Sequence, residues 1–454
     1  MSIVIQGGAV ATVDAARTEH ADGHVVLDGT RIVAVGPGSA DPAVVDAADT
    51  VVDARGCLVT PGLVNTHHHL YQWATRGLAQ DDDLFGWLTT LYPVWEGLDE
   101  DVVGAAAAAG LGWLARTGCT STTDHHYVFP RDVGDVLGAT IEAARQVGLR
   151  FHPTRGSMDL GQSQGGLPPD SVVETTEAAL AGTLRAVEEH HDPTPGSMLR
   201  MGVAPCSPFS VTEQLMREAA TLAREHGVRL HTHLAETLDE DVFCRSRYGC
   251  SPTEYADGLG WLGDDVWLAH CVHVEEAAAK RFADSGTAVA HCPTSNGRLG
   301  SGLAPVVALT DAGVAVGLGV DGSASNEESS LAAELHAAVM VARLRGGPTA
   351  MTARDALALG TIGGARVIGR DDELGSLEVG KLADVAVWRV DTLAHAGCED
   401  PVAALVLGSR PPLERLVVDG VTVVEDDVLL SADEHDLAAR AAIAARTLLE
   451  RSRR

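Results

Sequence analysis

The sequence lacks the features of a membrane-spanning or disulfide-rich protein. Its longest apolar stretches, such as 105–111 and 314–320, are far shorter than the ~20 residues that a helix needs to cross a bilayer. Eight cysteines are scattered along the chain and form no CxxC pair, which excludes a disulfide framework and a cysteine-paired zinc ribbon. The first residues show no basic segment followed by an apolar core, so we expect no secretory signal and a cytoplasmic location.

Basic residues are also scarce. The chain has 33 lysine and arginine residues against 63 aspartate and glutamate residues, a formal charge of −30. Binding to nucleic acid requires clustered cations that neutralise phosphates, so this balance argues against a nucleic-acid partner. We likewise expect no membrane partner. A small uncharged heterocycle is compatible with such a surface, and we draw no function from the charge itself.

A repeated unit begins at about residue 104. An alanine-rich apolar segment is followed by a glycine and then by a short strand pattern that ends in histidine, arginine or aspartate. Alternating helices and strands predict a parallel sheet covered by helices, an α/β fold. We expect a (β/α)8 TIM-type barrel, in which the carboxyl ends of the strands carry the chemistry. A doubly wound open sheet is the alternative. The strand patterns are CTSTTDHH, LRFHPTR, VRLHTHLAE, TAVAHCP and VAVGLGVDG.

The two ends of the chain show short alternating apolar runs separated by glycines, a pattern typical of β-hairpins. We therefore predict a small β-sandwich domain built from residues 1–58 and 371–430, with the barrel at 59–370 between them. Residues 431–454 are predicted as a terminal helix, because Ser431 and Glu434 have the spacing of a capping box.

Histidines occur where the predicted barrel strands end. His67 and His69, in PGLVNTHHHLYQ, are two residues apart, so an extended backbone places both rings on one face, where they can share a metal ion. This pair alone is weak evidence. Further polar residues at later strand ends are hard to explain by packing, because barrel interiors favour branched apolar side chains. They are His231, His233 and Glu236 in HTHLAE, His270 in LAHCVH, and Asp321 in GLGVDG.

These motifs, in this order, resemble the amidohydrolase superfamily, and within it the aminohydrolase branch that contains guanine deaminase and the chlorotriazine hydrolases. The resemblance extends from about residue 1 to 430 and also includes APCSPFS and GVDGSASN. It implies hydrolytic removal of an amino group from a small nitrogen heterocycle. We also expect a homo-oligomer. The ligand set that the resemblance implies is His67, His69, His233 and Asp321, while His231 is expected to be an interior residue of the barrel.

We expect one divalent metal ion per chain, zinc first and iron as the alternative. Many members of the superfamily hold two metals bridged by a modified mid-barrel lysine. This chain has only Lys280, in a predicted helix, and Lys381, in the C-terminal β-module. Neither is expected at the end of a barrel strand, so a single-metal site follows.

Three residues are candidates for catalytic roles. A departing amine must be protonated, and Glu236 is the candidate acid, although alone it would be interpreted as a solvated carboxylate at the start of a helix. Asp321 is a candidate to accept a proton from the attacking water as well as to bind metal. His270 is a candidate hydrogen-bond partner of the attacking group.

The substrate is predicted from less specific positions. Gln72 follows the HxH pair where guanine deaminases carry a purine-binding glutamine, and Cys206 stands where they carry an arginine. With HHHLYQWATRGL and DHHY, this pattern resembles the members of the branch that deaminate 8-oxoguanine. Trp113 is a candidate to stack on a planar ring, although both Trp113 and Cys206 could equally be core residues. The alternatives are a triazine or hydroxyatrazine amino- or chlorohydrolase, a guanine or pterin deaminase, and an inactive metal- or purine-binding barrel.

Overall fold

The N-terminal strands form one part of a mixed sheet, which contains both antiparallel and parallel strand pairs. A computed structural model of the chain describes residues 1–130 and 133–453. β1 (Ser2–Ala11) pairs antiparallel with β2 (Glu19–Asp28) and parallel with β4 (Thr50–Asp53) and β5 (Cys57–Pro61). Alternate side chains of these strands, such as Ile3, Ile5 and Val25, are buried together. The elements are β1 (Ser2–Ala11), β2 (Glu19–Asp28), β3 (Arg31–Pro37), α1 (Pro42–Ala47), β4 (Thr50–Asp53) and β5 (Cys57–Pro61).

Eight parallel strands then form the barrel, and each pairs with its neighbour in chain order. Thr66 closes the ring, because its backbone N–H and its hydroxyl both donate to the carbonyl oxygen of Leu318 at 2.9 Å. This closure excludes the open doubly wound sheet and confirms the predicted barrel. The barrel strands are β6 (Leu63–Asn65), β8 (Cys119–His126), β9 (Arg150–Ser157), β10 (Gly202–Pro205), β11 (Arg229–Leu234), β12 (Val266–His270), β13 (Ala288–His291) and β14 (Val316–Leu318).

A separate two-stranded pairing lies at the carboxyl end of the barrel. It joins β7 (His68–His69) and β15 (Asp321–Gly322) in parallel, with Asp321 opposite His68. The backbone N–H of Asp321 also donates to the carbonyl oxygen of His67 at 3.0 Å. The first and last barrel segments are therefore held together at the point where their polar side chains emerge.

Helices cover the barrel. Gly148 and Gly286 end two of them in the left-handed region, at φ 84° and 79°, as the glycine stops in the sequence predict. The helices are α2 (Leu84–Trp95), α3 (Glu100–Arg116), α4 (Val136–Val147), α5 (Thr176–His190), α6 (Glu213–Glu225), α7 (Leu238–Tyr248), α8 (Pro252–Gly258), α9 (Glu276–Ser285), α10 (Pro293–Arg298), α11 (Val306–Asp311), α12 (Leu331–Gly346), α13 (Ala353–Ala358) and α14 (Gly364–Val367).

The C-terminal segment completes the sheet that the N-terminal strands begin. β16 (Val385–Arg389) pairs antiparallel with β5, so one nine-stranded sheet contains strands from both terminal segments. This sheet confirms the predicted β-domain built from the terminal segments. Its elements are β16 (Val385–Arg389), α15 (Pro401–Leu407), β17 (Leu413–Val418), β18 (Val421–Glu425), β19 (Val428–Leu429) and the terminal helix α16 (Glu434–Arg451).

The predicted cap of the terminal helix is wrong. Asp433 caps α16, its carboxylate accepting from the backbone N–H groups of His435 and Asp436. The hydroxyl of Ser431 donates instead to the carbonyl oxygen of Val147. The hydroxyl of Ser431 is therefore engaged in a tertiary contact and does not cap this helix. Within residues 1–130 and 133–453, no helix combines the length and the apolar character needed to cross a membrane.

Candidate metal centre and active site

Four side chains meet at the carboxyl end of the barrel. Nε2 of His67 and Nε2 of His69 each lie 3.2 Å from Oδ1 of Asp321. Nε2 of His69 also lies 3.1 Å from Nε2 of His233. All four side chains are buried. The fold thus brings together the residues that the sequence predicts as metal ligands, although they are separated by up to 254 positions in the chain (321 minus 67).

Hydrogen bonds on the far side of each ring determine which nitrogen faces the cluster. Nδ1 of His69 lies 2.6 Å from the carbonyl oxygen of His125, and Nδ1 of His233 lies 2.6 Å from that of Cys206. A carbonyl oxygen only accepts, so both Nδ1 atoms carry the hydrogen and donate it. In the neutral rings, both Nε2 atoms therefore present lone pairs to the cluster.

Such a cluster is unfavourable without a cation. Two lone pairs that face each other at 3.1 Å repel, and the carboxylate of Asp321 at 3.2 Å adds negative charge to the same point. Burial lowers the pKa of His233 well below its ordinary value, so protonation does not relieve the repulsion. Imidazole nitrogens together with one carboxylate are a donor set that suits a divalent ion such as zinc. The residues present therefore fit a metal.

Glu236 and His270 lie beside this cluster. Oε2 of Glu236 is 3.5 Å from Nε2 of His270, and that nitrogen is 4.0 Å from Oδ2 of Asp321. Nδ1 of His270 donates to Oδ1 of Asn296 at 2.9 Å, which aims Nε2 at the two carboxylates. Burial, together with the negative charge of Asp321, raises the pKa of Glu236 to about 8. This shift favours the protonated form of the carboxyl group at neutral pH.

Sequence reasoning did not identify the residue that orients Glu236. The buried carboxylate of Glu240 accepts from the backbone N–H of Ala235 at 2.8 Å and from that of Glu236 at 2.9 Å. Ala235 has a φ of 52°, a left-handed conformation that is strained for alanine. Glu240 thus stabilises the sharp turn that points Glu236 at the cluster. A carboxylate four residues after the predicted acid was the available signal in the sequence.

Left-handed backbone also occurs at two other strand ends. His270 has a φ of 71°, Cys271 of 48° and Asp321 of 62°, all in residues other than glycine. Conformations of this kind each cost about 1–3 kcal/mol and cluster at functional sites. The surrounding structure therefore tolerates strain where these side chains turn towards the cluster.

A small cavity adjoins the cluster. Its volume is about 30 Å³, enough for one or two water molecules, so a ring system enters only if side chains that line it move. Gln72 and Cys206 both line it, as do apolar and aromatic side chains from several segments of the chain. The oxygen Oε1 of Gln72 is buried and has no hydrogen-bond partner among the described residues. The other walls include Leu84, Leu88, Tyr92, Tyr127 and Phe209.

Cys206 contributes to this region in two ways. Its backbone carbonyl orients His233, as described above, and its side chain lines the cavity with Sγ 3.8 Å from Nδ1 of His233. Burial raises the pKa of the thiol to about 12, so the sulfur is a neutral, apolar surface and not a nucleophile.

The expectation for Trp113 must be corrected. Trp113 lies on α3, and its indole N–H donates to the backbone carbonyl of Glu328 at 2.7 Å. Its ring faces a groove between α3 and α16 and does not line the cavity beside the cluster. A single aromatic residue in a helix gives no sequence signal of the face that it will occupy. The aromatic residues Tyr92 and Tyr127 line the cavity instead.

His125 is a further residue of the site that sequence reasoning did not select. A ring nitrogen of His125 lies within 4.8 Å of ring nitrogens of His67, His69 and His233. Nε2 of His125 donates to the carbonyl oxygen of Ala204 at 2.8 Å, and its buried Nδ1 has no partner within the described part of the chain. The DHH sequence at the end of a barrel strand was the available signal.

The chain resembles proteins of known activity over nearly its whole length. Residues 58–423 match the amidohydrolase family. The chain is 43% identical to an 8-oxoguanine deaminase of Pseudomonas aeruginosa, over 94% of this chain and 95% of that protein. It is 38% identical to an isoxanthopterin deaminase from an unknown prokaryotic organism, over 98% and 95% of the two chains.

Solved structures also match the chain over nearly its whole length. The crystal structure of an atrazine chlorohydrolase from Arthrobacter aurescens TC1 complexed with zinc superposes with a TM-score of 0.92 at 34% sequence identity. The superposition covers 98% of this chain and 100% of that one. A family of this kind uses a divalent metal, in agreement with the donor set described above.

Proposed function

This chain belongs to the amidohydrolase family as a hydrolytic deaminase, and we propose that it converts 8-oxoguanine and water into urate and ammonia. The reaction forms a C–O bond and breaks a C–N bond at C2 of the purine. One observation carries the proposal: an acid with a raised pKa, Glu236, adjoins a cluster of imidazole lone pairs and a carboxylate beside a small cavity. The substrate itself is argued from Gln72 and from the similarity to an 8-oxoguanine deaminase.

The metal ligands that we propose are His67, His69, His233 and Asp321. Each offers one donor atom within 3.1 to 3.2 Å of another member of the set. When bound there, a divalent cation supplies Lewis acidity that makes water nucleophilic near neutral pH. Both lysines lie away from this point, because Lys280 pairs with Asp284 on α9 and Lys381 donates to backbone carbonyls near residue 374. One metal ion per chain follows, and zinc is the ion we propose.

Glu236 is proposed to deliver the proton that the departing amine requires. Its raised pKa keeps the carboxyl group protonated at neutral pH, and burial keeps bulk water from exchanging that proton freely. His270 is proposed to hold the attacking group by a hydrogen bond at Nε2, since Asn296 fixes the ring. Asp321 is proposed to accept a proton from the attacking water through Oδ2, the oxygen that faces His270.

Gln72 is proposed to recognise the purine. An 8-oxoguanine ring presents adjacent donors and acceptors, and a carboxamide can satisfy one of each. Oε1 of Gln72 is buried without a partner, so binding a donor there removes a desolvation cost. The apolar surface of Cys206, Phe209 and Leu88 is proposed to contact the faces and the imidazole half of the ring.

The alternative substrate classes are triazines and pterins, in keeping with the chlorohydrolase and the isoxanthopterin deaminase described above. A screen of ammonia release from 8-oxoguanine, guanine, isoxanthopterin, cytosine and a hydroxytriazine separates them. We expect 8-oxoguanine to have the highest kcat/KM, with urate as the product by chromatography. A faster reaction with any other compound would refute the substrate and leave the deaminase assignment in place.

A further inference from the structure

His231 contacts a proposed metal ligand from behind. It lies within the barrel with both ring nitrogens buried. Nε2 of His231 is 2.7 Å from Nδ1 of His67, and Nδ1 of His231 is 2.8 Å from the carbonyl oxygen of Trp267. Its ring stacks on the indole of Trp267, with centroids 4.4 Å apart and planes inclined by 14°. These contacts fix the ring in position and in orientation.

The two hydrogen bonds can be assigned a direction. The carbonyl of Trp267 only accepts, so Nδ1 of His231 carries a hydrogen and donates it. In a neutral ring, Nε2 of His231 is then an acceptor, and a doubly protonated ring is disfavoured by its burial. Nδ1 of His67 must therefore donate to it, which leaves the lone pair of His67 on Nε2, the atom 3.2 Å from Asp321.

The three histidine ligands thus reach the same state by two routes. For His69 and His233, a backbone carbonyl accepts the Nδ1 hydrogen directly. For His67, the carbonyl of Trp267 acts through the imidazole of His231. A partner on the outer nitrogen of a ligating histidine fixes its tautomer and raises its basicity, and the loss of such a partner typically weakens metal binding ~10–100-fold.

We propose that His231 is a positioning residue that holds His67 in the tautomer and orientation needed to bind the metal ion. The proposal rests on the metal site of the proposed function, but not on the identity of the substrate. It replaces the expectation that His231 is only an interior residue of the barrel.

Substitutions that keep or remove the acceptor test this role. His231→Phe keeps a flat ring over Trp267 and removes both nitrogens, whereas His231→Gln keeps an acceptor within reach of His67. His152→Phe is the matched control, because His152 is a buried histidine whose ring lies 5.7 Å from that of Trp267 and makes no hydrogen bond with the described residues. The measurements are zinc affinity by chelator competition and the visible spectrum of the cobalt-substituted protein.

We expect zinc to bind ~10–100-fold more weakly to His231→Phe, and His231→Gln to recover at least part of that loss. The control should bind zinc like the wild type. The cobalt spectrum of His231→Phe should differ from that of the wild type, because His67 is free to rotate. Unchanged affinity and an unchanged spectrum in His231→Phe, when His67→Ala has lost zinc, would overturn the proposal. If the wild type and both variants bind no zinc at all, the metal site itself is refuted.

A measurement on the wild type covers the case in which His231→Phe does not fold. Nitrogen-15 spectra of the histidine-labelled apoprotein distinguish the two neutral tautomers. We expect His231 with hydrogen on Nδ1 and His67 with hydrogen on Nδ1. The opposite tautomer at His231 would refute the relay of hydrogen bonds, whichever substrate the enzyme uses.

Discussion

Replacing Glu236 by glutamine tests whether this residue transfers the proton. Glutamine keeps the shape of the side chain but cannot donate an acidic proton. The carboxyl group contacts Ser301 at 3.4 Å and His270 at 3.5 Å, and it is not one of the atoms that meet in the ligand cluster. Metal content should therefore remain at the wild-type level, while kcat for ammonia release falls by ~10²–10⁴-fold, or about 3–5 kcal/mol in the activation free energy.

The pH profile gives an independent readout of the same substitution. An acid donates only when protonated, so the kcat/KM of the wild type should fall as pH rises through the pKa of Glu236, about 8. Asp321 contributes to that raised value through its negative charge, and a bound cation offsets this charge. In the metal-bound enzyme, the fall should therefore lie at or below pH 8. The Glu236→Gln variant should lack it.

The free energy of unfolding should change with pH in the same direction as the activity. The pKa of Glu236 is raised from 4.5 to about 8 in the folded protein, so the folded state disfavours the charged form. The stability associated with this group is fully present below pH 4.5 and is lost as pH rises through about 8. Chemical denaturation of the apoprotein should show that Glu236→Gln is less sensitive to pH over this range than the wild type.

The assay needs a control and a clear negative outcome. Asp239→Asn removes an exposed carboxylate three residues away, in the first turn of α7, and should leave turnover unchanged. Elemental analysis and ammonia release are measured on the same preparations. Near-normal turnover in Glu236→Gln with full metal content would show that another group delivers the proton, and loss of metal would show that Glu236 belongs to the metal site.

One further measurement and three substitutions follow from the site. Purified protein should contain about one tightly bound metal ion per chain by elemental analysis, and two per active chain would refute the single-metal site. Gln72→Ala should raise the barrier for 8-oxoguanine by about 1–3 kcal/mol in kcat/KM without loss of metal, because one buried hydrogen-bonding group is removed. Gly322→Ala should have a similar effect, since a Cβ at this position would overlap with Oε1 of Gln72. Unaltered purine turnover in both variants would exclude Gln72 from substrate binding. Glu240→Gln should lower kcat more than it changes KM, because the amide can no longer accept from both N–H groups of the turn at Ala235; equal turnover in this variant would refute its role in orienting Glu236.

The sequence predicts the barrel and the cluster because both depend on local regularities. Alternation along an extended strand places His67 and His69 on one side, and the short pairing of β7 with β15 then brings Asp321 to them. The HxxE spacing similarly separates His233 from His231. The fold class and the resemblance to the amidohydrolases are confirmed. The assignment of individual ligands stays a prediction.

The remaining features depend on contacts between distant segments, which no local pattern encodes. The packing of α3 against α16 places Trp113 in the groove between these two helices. Asp433 caps α16, while the hydroxyl of Ser431 is engaged by the carbonyl oxygen of Val147. The role of His231 depends on two partners, His67 and Trp267, that lie 164 and 36 positions away. Tertiary structure therefore selects among side chains that appear equivalent in the sequence.

The pairing of β5 with β16 has a consequence for synthesis of the chain on the ribosome. β5 ends at Pro61, and its partner strand is complete only at Arg389. At translation rates of ~5–20 residues per second, this strand edge waits for roughly tens of seconds before it is covered. During that time, apolar residues such as Val59 lie beside unpaired backbone groups, a state that favours association with other chains. A lower growth temperature or added chaperone should therefore raise the soluble yield. A chain truncated before β16 should aggregate even though its barrel is complete.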